Sequence, residues 1–248
     1  MFVACNNSQQ IEVYDAGTFT LQRHLTVPGL GQICYGLAAC ISNNCLYASD
    51  FYGNSIHRVD LSGSQSAAVK MWSVASHPAG LSVNKAHNVV IACQGANKLQ
   101  EYTTLGTLVR EISPQQAGVT RPWHAIQLST GDYVVCHNMS QGVVSVVGID
   151  GQVMCTYGHS QASCVGQMSS PKSLAVTNNG DILLVDQGNN RILSVNSSLS
   201  SAQVLTWSGN DKLQQPFGLC LDESRHRFYI SENGGGRVLT FESTCANC

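Results

Sequence analysis

Apolar and polar residues alternate along most of the chain, in short runs separated by turns rich in Gly, Asn and Ser. Alternation with a period of two residues is typical of a β-strand that buries one face. An amphipathic helix would instead repeat its apolar positions about every 3.6 residues, and no segment sustains that period. The pattern therefore predicts an all-β chain with almost no helix.

The predicted strands recur at regular intervals. A turn, often containing Pro, precedes a short apolar strand in five segments of the chain. Equivalent residues in these strands lie 44, 44, 49 and 45 positions apart. A period of about 40–45 residues with several strands per unit indicates propeller blades rather than a helical array. The equivalent residues are Leu37, Leu81, Ala125, Leu174 and Leu219.

Further strands complete most of the units. A second strand occurs six times, a third strand follows each copy, and a fourth follows in five units. We therefore predict a single six-bladed β-propeller of four-stranded antiparallel blades, with the first and last blades incomplete in sequence. The predicted domain spans residues 1–248, with approximate blades at 1–30, 31–75, 76–116, 117–160, 168–210 and 214–248.

Three units carry a more specific motif. Residues 171–195 read PKSLAVTNNGDILLVDQGNNRILSV, and residues 216–241 and 35–59 repeat its pattern of Pro or Gly, apolar strand, turn, second strand and polar turn. These segments resemble NHL repeats, and the other units are degenerate copies in phase with them. The chain is thus similar to the six-bladed NHL propellers that end many TRIM-type proteins, particularly invertebrate ones. The resemblance implies a scaffold for protein–protein interaction.

Charge limits the classes of partner. Charged residues make up 11% of the chain, and 13 Lys and Arg stand against 15 Asp and Glu, for a net charge of -2. Some NHL domains bind RNA, but this chain lacks the basic excess that displaces phosphate counterions. No apolar run approaches the roughly 18 residues that span a bilayer. We therefore expect a protein partner, with RNA disfavoured and no membrane partner.

The compartment and the state of the cysteines remain expectations. The first residues lack a signal-peptide pattern, and eleven cysteines cannot all pair internally, so we favour the cytoplasm. An extracellular location stays open if the chain is an excised fragment. Glycosylation is open at the sequons of Asn6, Asn138 and Asn196. We interpret Cys5, Cys93, Cys136 and Cys220 as reduced core thiols; Cys155 with Cys164, or Cys34 with Cys40 or Cys45, could close loops.

One position at the end of the second strand carries acids or thiols. A carboxylate there can accept hydrogen bonds from the backbone of the following turn. Equivalent positions in neighbouring blades lie too far apart to converge on one metal ion. We therefore predict turn-fixing residues, and neither a metal nor another cofactor. The residues are Cys5, Asp50, Cys93, Cys136, Asp186 and Glu232.

The residues just before the first strands are the candidate binding site. First strands line the channel of a propeller, so these residues crowd its central mouth. Histidines, cations and aromatic rings together suit an anionic or aromatic ligand. The alternative is that they are turn residues packed between blades. The predicted site consists of Tyr35, His77, Arg121, Trp123, His124, Lys172 and Phe217.

Catalysis is an alternative that the sequence supports less well. Peptidyl-amidating lyases are similar propellers with zinc-binding histidines directly after the strand-entry Pro. Here Trp123 follows Pro122, and His77 precedes Pro78, so the register differs. We therefore predict no catalytic residues and interpret the chain as a non-catalytic binding scaffold. The alternatives are a metal-dependent lyase or lactonase, an RNA-binding propeller, and a carbohydrate-binding propeller that uses Trp72 and Trp207.

Overall fold

The computed structural model describes residues 1–5, 8–62, 69–137, 142–158, 167–206 and 212–242. By its internal contacts the chain divides into two compact units, Met1–Gln115 and Gln116–Cys248, and each is described by itself below. Several residues named above lie outside the described residues: Asn6, Asn138, Cys164 and Trp207.

The first unit contains three antiparallel sheets. The first sheet has three described strands, and the next two have four strands each, in the order of the sequence. The strands are β1 (Phe2–Ala4), β2 (Gln10–Tyr14) and β3 (Leu21–Thr26); β4 (Leu37–Cys40), β5 (Cys45–Asp50), β6 (Ser55–Asp60) and β7 (Val69–Ser73); and β8 (Pro78–Val83), β9 (Val89–Cys93), β10 (Lys98–Tyr102) and β11 (Leu108–Ile112).

The second unit contains three more sheets of the same kind, two with four strands and a last one with three described strands. The strands are β12 (His124–Gln127), β13 (Tyr133–His137), β14 (Val143–Val147) and β15 (Val153–Tyr157); β16 (Pro171–Val176), β17 (Ile182–Asp186), β18 (Arg191–Val195) and β19 (Ala202–Val204); and β20 (Pro216–Asp222), β21 (Arg227–Glu232) and β22 (Val238–Glu242).

Six successive antiparallel sheets confirm the predicted six-bladed, all-β propeller class. Helix in the described residues is limited to three short 3-10 turns, at Pro114–Ala117, Gln187–Asn189 and Glu223–Arg225. Among those residues no helix has the length and apolar character needed to cross a membrane.

The core lies along the second strands, which are covered on both faces. Every residue of β5, β9, β13 and β17 is buried. Strands buried on both faces tend toward continuous apolar runs such as VVIAC at Val89–Cys93. Side chains of neighbouring sheets meet between the strands: Tyr47, Ile56 and Ile91 belong to one cluster that joins the second and third sheets.

The fourth sheet corrects one assignment at the ends of the second strands. In the third, fifth and sixth sheets the first-strand proline pairs with the terminal residue of the second strand, for example Pro171 with Asp186. In the fourth sheet His124 pairs with Cys136, so the terminal position belongs to His137 and not to Cys136. Cys136 lies one residue earlier and is fully buried.

The eight described cysteines are free thiols, including Cys34, Cys40, Cys45 and Cys155. Cys93 and Cys136 are fully buried, as expected of core thiols, and this burial raises the pKa of each to about 12. The interpretation of Cys220 as a core thiol is wrong, because its side chain is exposed. It lies on β20, a strand with no fully buried residue after Pro216.

Candidate functional site

In three sheets, a carboxylate at the end of the second strand accepts a hydrogen bond from the segment that precedes the first strand. Asp50 accepts hydrogen bonds from the N–H groups of Gly31 and Gly53, at 3.1 and 2.9 Å. Asp186 and Glu232 likewise accept from the entry segments of their own sheets, through Ser169 N–H and Gln214 N–H. The carboxylates therefore position the segments that carry the candidate site.

Arginine side chains form ion pairs with two of these carboxylates. Arg191 Nε lies 2.7 Å from Asp186 Oδ2, and Arg237 Nε lies 2.7 Å from Glu232 Oε2. Asn189 Nδ2 donates a further hydrogen bond to Asp186 at 2.8 Å. Asn189 lies in the turn after the second strand and Arg191 begins β18, so these contacts come from side chains, whereas the sequence predicted bonds from backbone N–H groups of the turn. Within the described residues, no group of three or more His, Cys, Asp and Glu side chains is placed to share a metal ion.

In the first unit, Tyr35 and His77 meet on an aromatic cluster. The His77 ring stacks on Phe51 at 4.8 Å between centroids, and Tyr35 meets Phe51 edge-on at 4.9 Å. Tyr52 is 66% exposed and lies edge-on to both Phe51 and His77. The sequence interpretation missed Phe51 and Tyr52, although both directly follow the strand-end Asp50.

In the second unit, Trp123, Lys172 and Phe217 form a cationic and aromatic group. Lys172 Nζ lies 3.6 Å from the centroid of the Trp123 ring and 5.9 Å from that of Phe217. The two rings meet edge-on at 5.8 Å. Trp123 is 5% exposed and Lys172 is 6% exposed, whereas Phe217 is half-buried. The indole face thus compensates part of the hydration that the ammonium group loses.

Burial and a neighbouring charge change the pKa of Lys172. Desolvation, together with repulsion from Arg121, lowers the pKa of Lys172 to about 8, while the nearby Cys136 acts in the opposite direction. Arg121 itself is exposed and adopts a left-handed backbone conformation with φ of 51°. An exposed arginine thus acts electrostatically on a buried lysine whose ammonium group lies over aromatic rings, so the group combines positive charge with aromatic surface. We call Arg121, Trp123, Lys172 and Phe217 the cationic cluster.

His124 has a structural contact between two sheets. Its Nδ1 accepts a hydrogen bond from Leu174 N–H at 3.0 Å, which leaves the proton of the neutral ring on Nε2. Ser173 has the same role one sheet later, where its hydroxyl accepts from Leu219 N–H at 3.2 Å. His124 is buried, and it links two neighbouring sheets as the smaller Ser173 does between the next two.

Trp72 packs against the core cluster of the second and third sheets as a half-buried side chain. Its ring lies 6.2 Å from Tyr47 and 6.0 Å from Tyr102, within the cluster that joins the second and third sheets. The half-buried Trp72 ring packs against core residues, which favours a packing role over the carbohydrate alternative.

No family model and no curated protein matches the chain. Several solved structures, however, are similar to the chain. A crystal structure of a nidogen/laminin complex superposes with a TM-score of 0.74 at 16% identity, covering 97% of this chain and 88% of that chain. The structure of a protein of unknown function from Bacteroides caccae superposes with a TM-score of 0.71 at 15% identity, covering 98% of this chain and 89% of that chain. A streptogramin B lyase gives 0.69 at 12% identity, covering 99% and 80%.

These likenesses establish the fold alone, because the identities are low. The similar structures include one solved as a complex of two proteins and one lyase. The propeller fold therefore accommodates both binding and catalysis, and the function of this chain has to be argued from its own residues.

Proposed function

We propose that this chain is an NHL-type propeller that acts as a non-catalytic scaffold and binds an acidic segment of a protein partner at the cationic cluster. The repeat pattern at 171–195 supports the NHL type. The contact of Lys172 with Trp123, next to the exposed Arg121, supports the binding role.

The chemistry of the cluster favours a carboxylate ligand. Arg121 is an exposed residue, and a planar guanidinium binds carboxylates through two parallel hydrogen bonds. Lys172 lies beneath the surface, so its charge strengthens the attraction without needing direct contact. The half-buried Phe217 adds an apolar surface for the side chain next to the acid.

The same features favour a protein over a nucleic acid. A nucleic-acid backbone presents many phosphates and is bound by several cations spread along a surface. The cluster holds two cations, in a chain whose acids outnumber its bases. One or two carboxylates of a peptide match that charge.

Reversing the exposed charge should abolish most of the binding. We expect peptides selected from a random library on the native protein to be rich in Asp and Glu. Arg121→Glu should weaken their binding about tenfold or more, because a charge-assisted hydrogen bond contributes about 1.5–3 kcal/mol. Fluorescence anisotropy with the synthetic peptides measures the change.

Arg225→Glu provides the matched control. Arg225 is an exposed arginine of the same unit, bound to Asp222 at 2.8 Å, and its reversal changes the net charge equally. It should leave peptide affinity within about twofold, since Arg225 is not part of the cationic cluster and salt screens the charges of exposed residues. Equal losses in both variants, or selected peptides indifferent to Arg121→Glu, would contradict the proposal.

A further inference from the structure

Two cysteines lie directly opposite each other in the second sheet. The antiparallel pairing of β4 with β5 sets Cys40 against Cys45, and this is the last pair before the turn that joins the two strands. Both residues are free thiols. Because opposite residues of an antiparallel pair carry their side chains on the same face, the two thiols belong to one face of one hairpin. Only residues 41–44 separate them in the sequence.

The backbone spacing of such a pair suits a disulfide. Opposite residues have both their Cα atoms and their Cβ atoms about 4.5–5.5 Å apart. A disulfide spans about 4.4–6.8 Å between Cα atoms and about 3.5–4.5 Å between Cβ atoms. The Cα spacing therefore fits, and the Cβ atoms need to approach by up to about 1 Å. Since the pair borders the turn, only the end of the hairpin has to adjust.

The two side chains share one environment. Cys40 is 3% exposed and Cys45 is fully buried, in the apolar cluster that also contains Tyr47. Burial, with a smaller contribution from both thiols, raises the pKa of Tyr47 to about 12, so both cysteines lie near this phenol. Asn43 Nδ2 donates a hydrogen bond to Cys40 Sγ at 3.2 Å, and a disulfide sulfur can still accept it. Disulfide formation removes two weak S–H donors from this apolar cluster.

Among the described strands, cysteine lies opposite cysteine at this place alone. The other four cysteines of those strands face residues of other types, so none can be bridged directly across its sheet. Cys34, which precedes β4, packs in a different apolar cluster and donates to Gly36 C=O at 3.4 Å. The opposite residues are Pro78 and Lys98 for Cys93, His124 and Val144 for Cys136, Val146 for Cys155, and Tyr229 for Cys220.

We propose that Cys40 and Cys45 form an intramolecular disulfide by exchange with a small-molecule disulfide such as oxidised glutathione. The bond joins β4 covalently to β5 across the turn. The site belongs to the first unit and shares no residue with the cationic cluster, so it stands independently of the proposed function.

Reduction of oxidised glutathione balances the oxidation of the two cysteines. The thiolate of one cysteine attacks the glutathione disulfide, which forms a mixed disulfide and releases one glutathione thiolate. The thiolate of the other cysteine then displaces the second glutathione and closes the bond. The two glutathione thiolates take up the two protons that the cysteines lose. Because both cysteines are buried, exchange takes place while the end of the hairpin is open, before it closes in folding or when its turn opens locally.

Refolding in a glutathione buffer tests the proposal. The reduced, unfolded chain would be refolded with reduced and oxidised glutathione, alkylated with iodoacetamide under denaturing conditions, and digested with trypsin. The tryptic peptide 24–58 contains Cys34, Cys40 and Cys45. We expect this peptide to carry a single alkyl group, on Cys34, and to have lost two hydrogens through the bond between the other two cysteines. Reduction before alkylation should give three alkyl groups.

Two matched variants identify the bonded pair. Cys34→Ser should leave the loss of two hydrogens unchanged, whereas Cys45→Ser should abolish it. If the reduced chain does not refold, the native protein incubated with oxidised glutathione replaces it, with the same expected masses. Alkylation of all three cysteines despite oxidised glutathione, or a bond from Cys34 to either of the other two, would overturn the proposal.

Discussion

Asp186→Ala should lower the free energy of unfolding by about 3–5 kcal/mol, the cost of breaking a buried ion pair by removing one partner. The Asp186 carboxylate is fully buried and accepts from Ser169 N–H, Asn189 Nδ2 and Arg191 Nε at 2.7, 2.8 and 2.7 Å. Its removal leaves three donors without their acceptor, one of them charged. Urea unfolding followed by circular dichroism measures the change.

Asp15→Ala is the control for this prediction. Asp15 is an exposed aspartate whose carboxylate also accepts from turn N–H groups, those of Gly17 and Thr18. Water can replace it as the acceptor, so its loss should be clearly smaller. Similar unfolding midpoints for the two variants would show that the strand-end carboxylates do not hold the entry segments.

Trp123→Ala should lower the free energy of unfolding by about 3–5 kcal/mol, as expected when a buried tryptophan is truncated in a packed site. The Trp123 ring contacts Phe217 and supports the Lys172 ammonium, and it is almost entirely buried. Its loss removes apolar contacts and leaves a buried charge above an empty space. Thermal and urea unfolding both report the loss.

Trp123→Phe serves as the comparison, because phenylalanine keeps an aromatic face under the ammonium and should recover part of the stability. An alanine variant as stable as the native protein would show that Trp123 is not part of the packed structure. If Trp123→Ala lowers the free energy of unfolding as expected, weaker peptide binding by this variant could come from unfolding as well as from the lost contact. Arg121 is therefore the better position for testing the site.

The repeat could be predicted from the sequence because the period of the apolar strands is set by the packing of the sheets. Leu37, Leu81, Ala125, Leu174 and Leu219 do occupy equivalent positions on the first strands, since each pairs with the second strand two residues before its end. Alternation and turn residues are local properties, which a single sequence displays directly.

Register irregularities explain what could not be predicted. Bulges separate Pro78 from Leu81 and Pro171 from Leu174, whereas no such bulge falls within the pairs of β12. A shift of one residue changes which side chain ends the second strand, and so Cys136 was assigned in place of His137. The role of His124 depends on a hydrogen bond to a residue 50 positions away, which no local pattern shows.

The first and last sheets, each with three described strands, share one feature of their burial. Val3 on β1 is half-buried, whereas its equivalents Ala48, Ile91, Val135 and Leu184 are fully buried. Val238 on β22 is half-buried too, whereas its third-strand equivalents Ile56, Val144 and Ile192 are fully buried. The count of strands predicted that these two blades are incomplete in sequence, and among the described residues each of the two sheets has one core position that is only half-buried.

The central claim is that an acidic partner binds at the cationic cluster, and hydrogen–deuterium exchange tests it most directly. The native protein would be compared with and without a saturating acidic peptide from the selection. The account predicts slower exchange in the segments 119–124, 171–174 and 216–219, which carry the cluster, and no such change with Arg121→Glu. If the peptide slows exchange only in other segments and leaves these three segments unchanged, the proposed binding site is wrong.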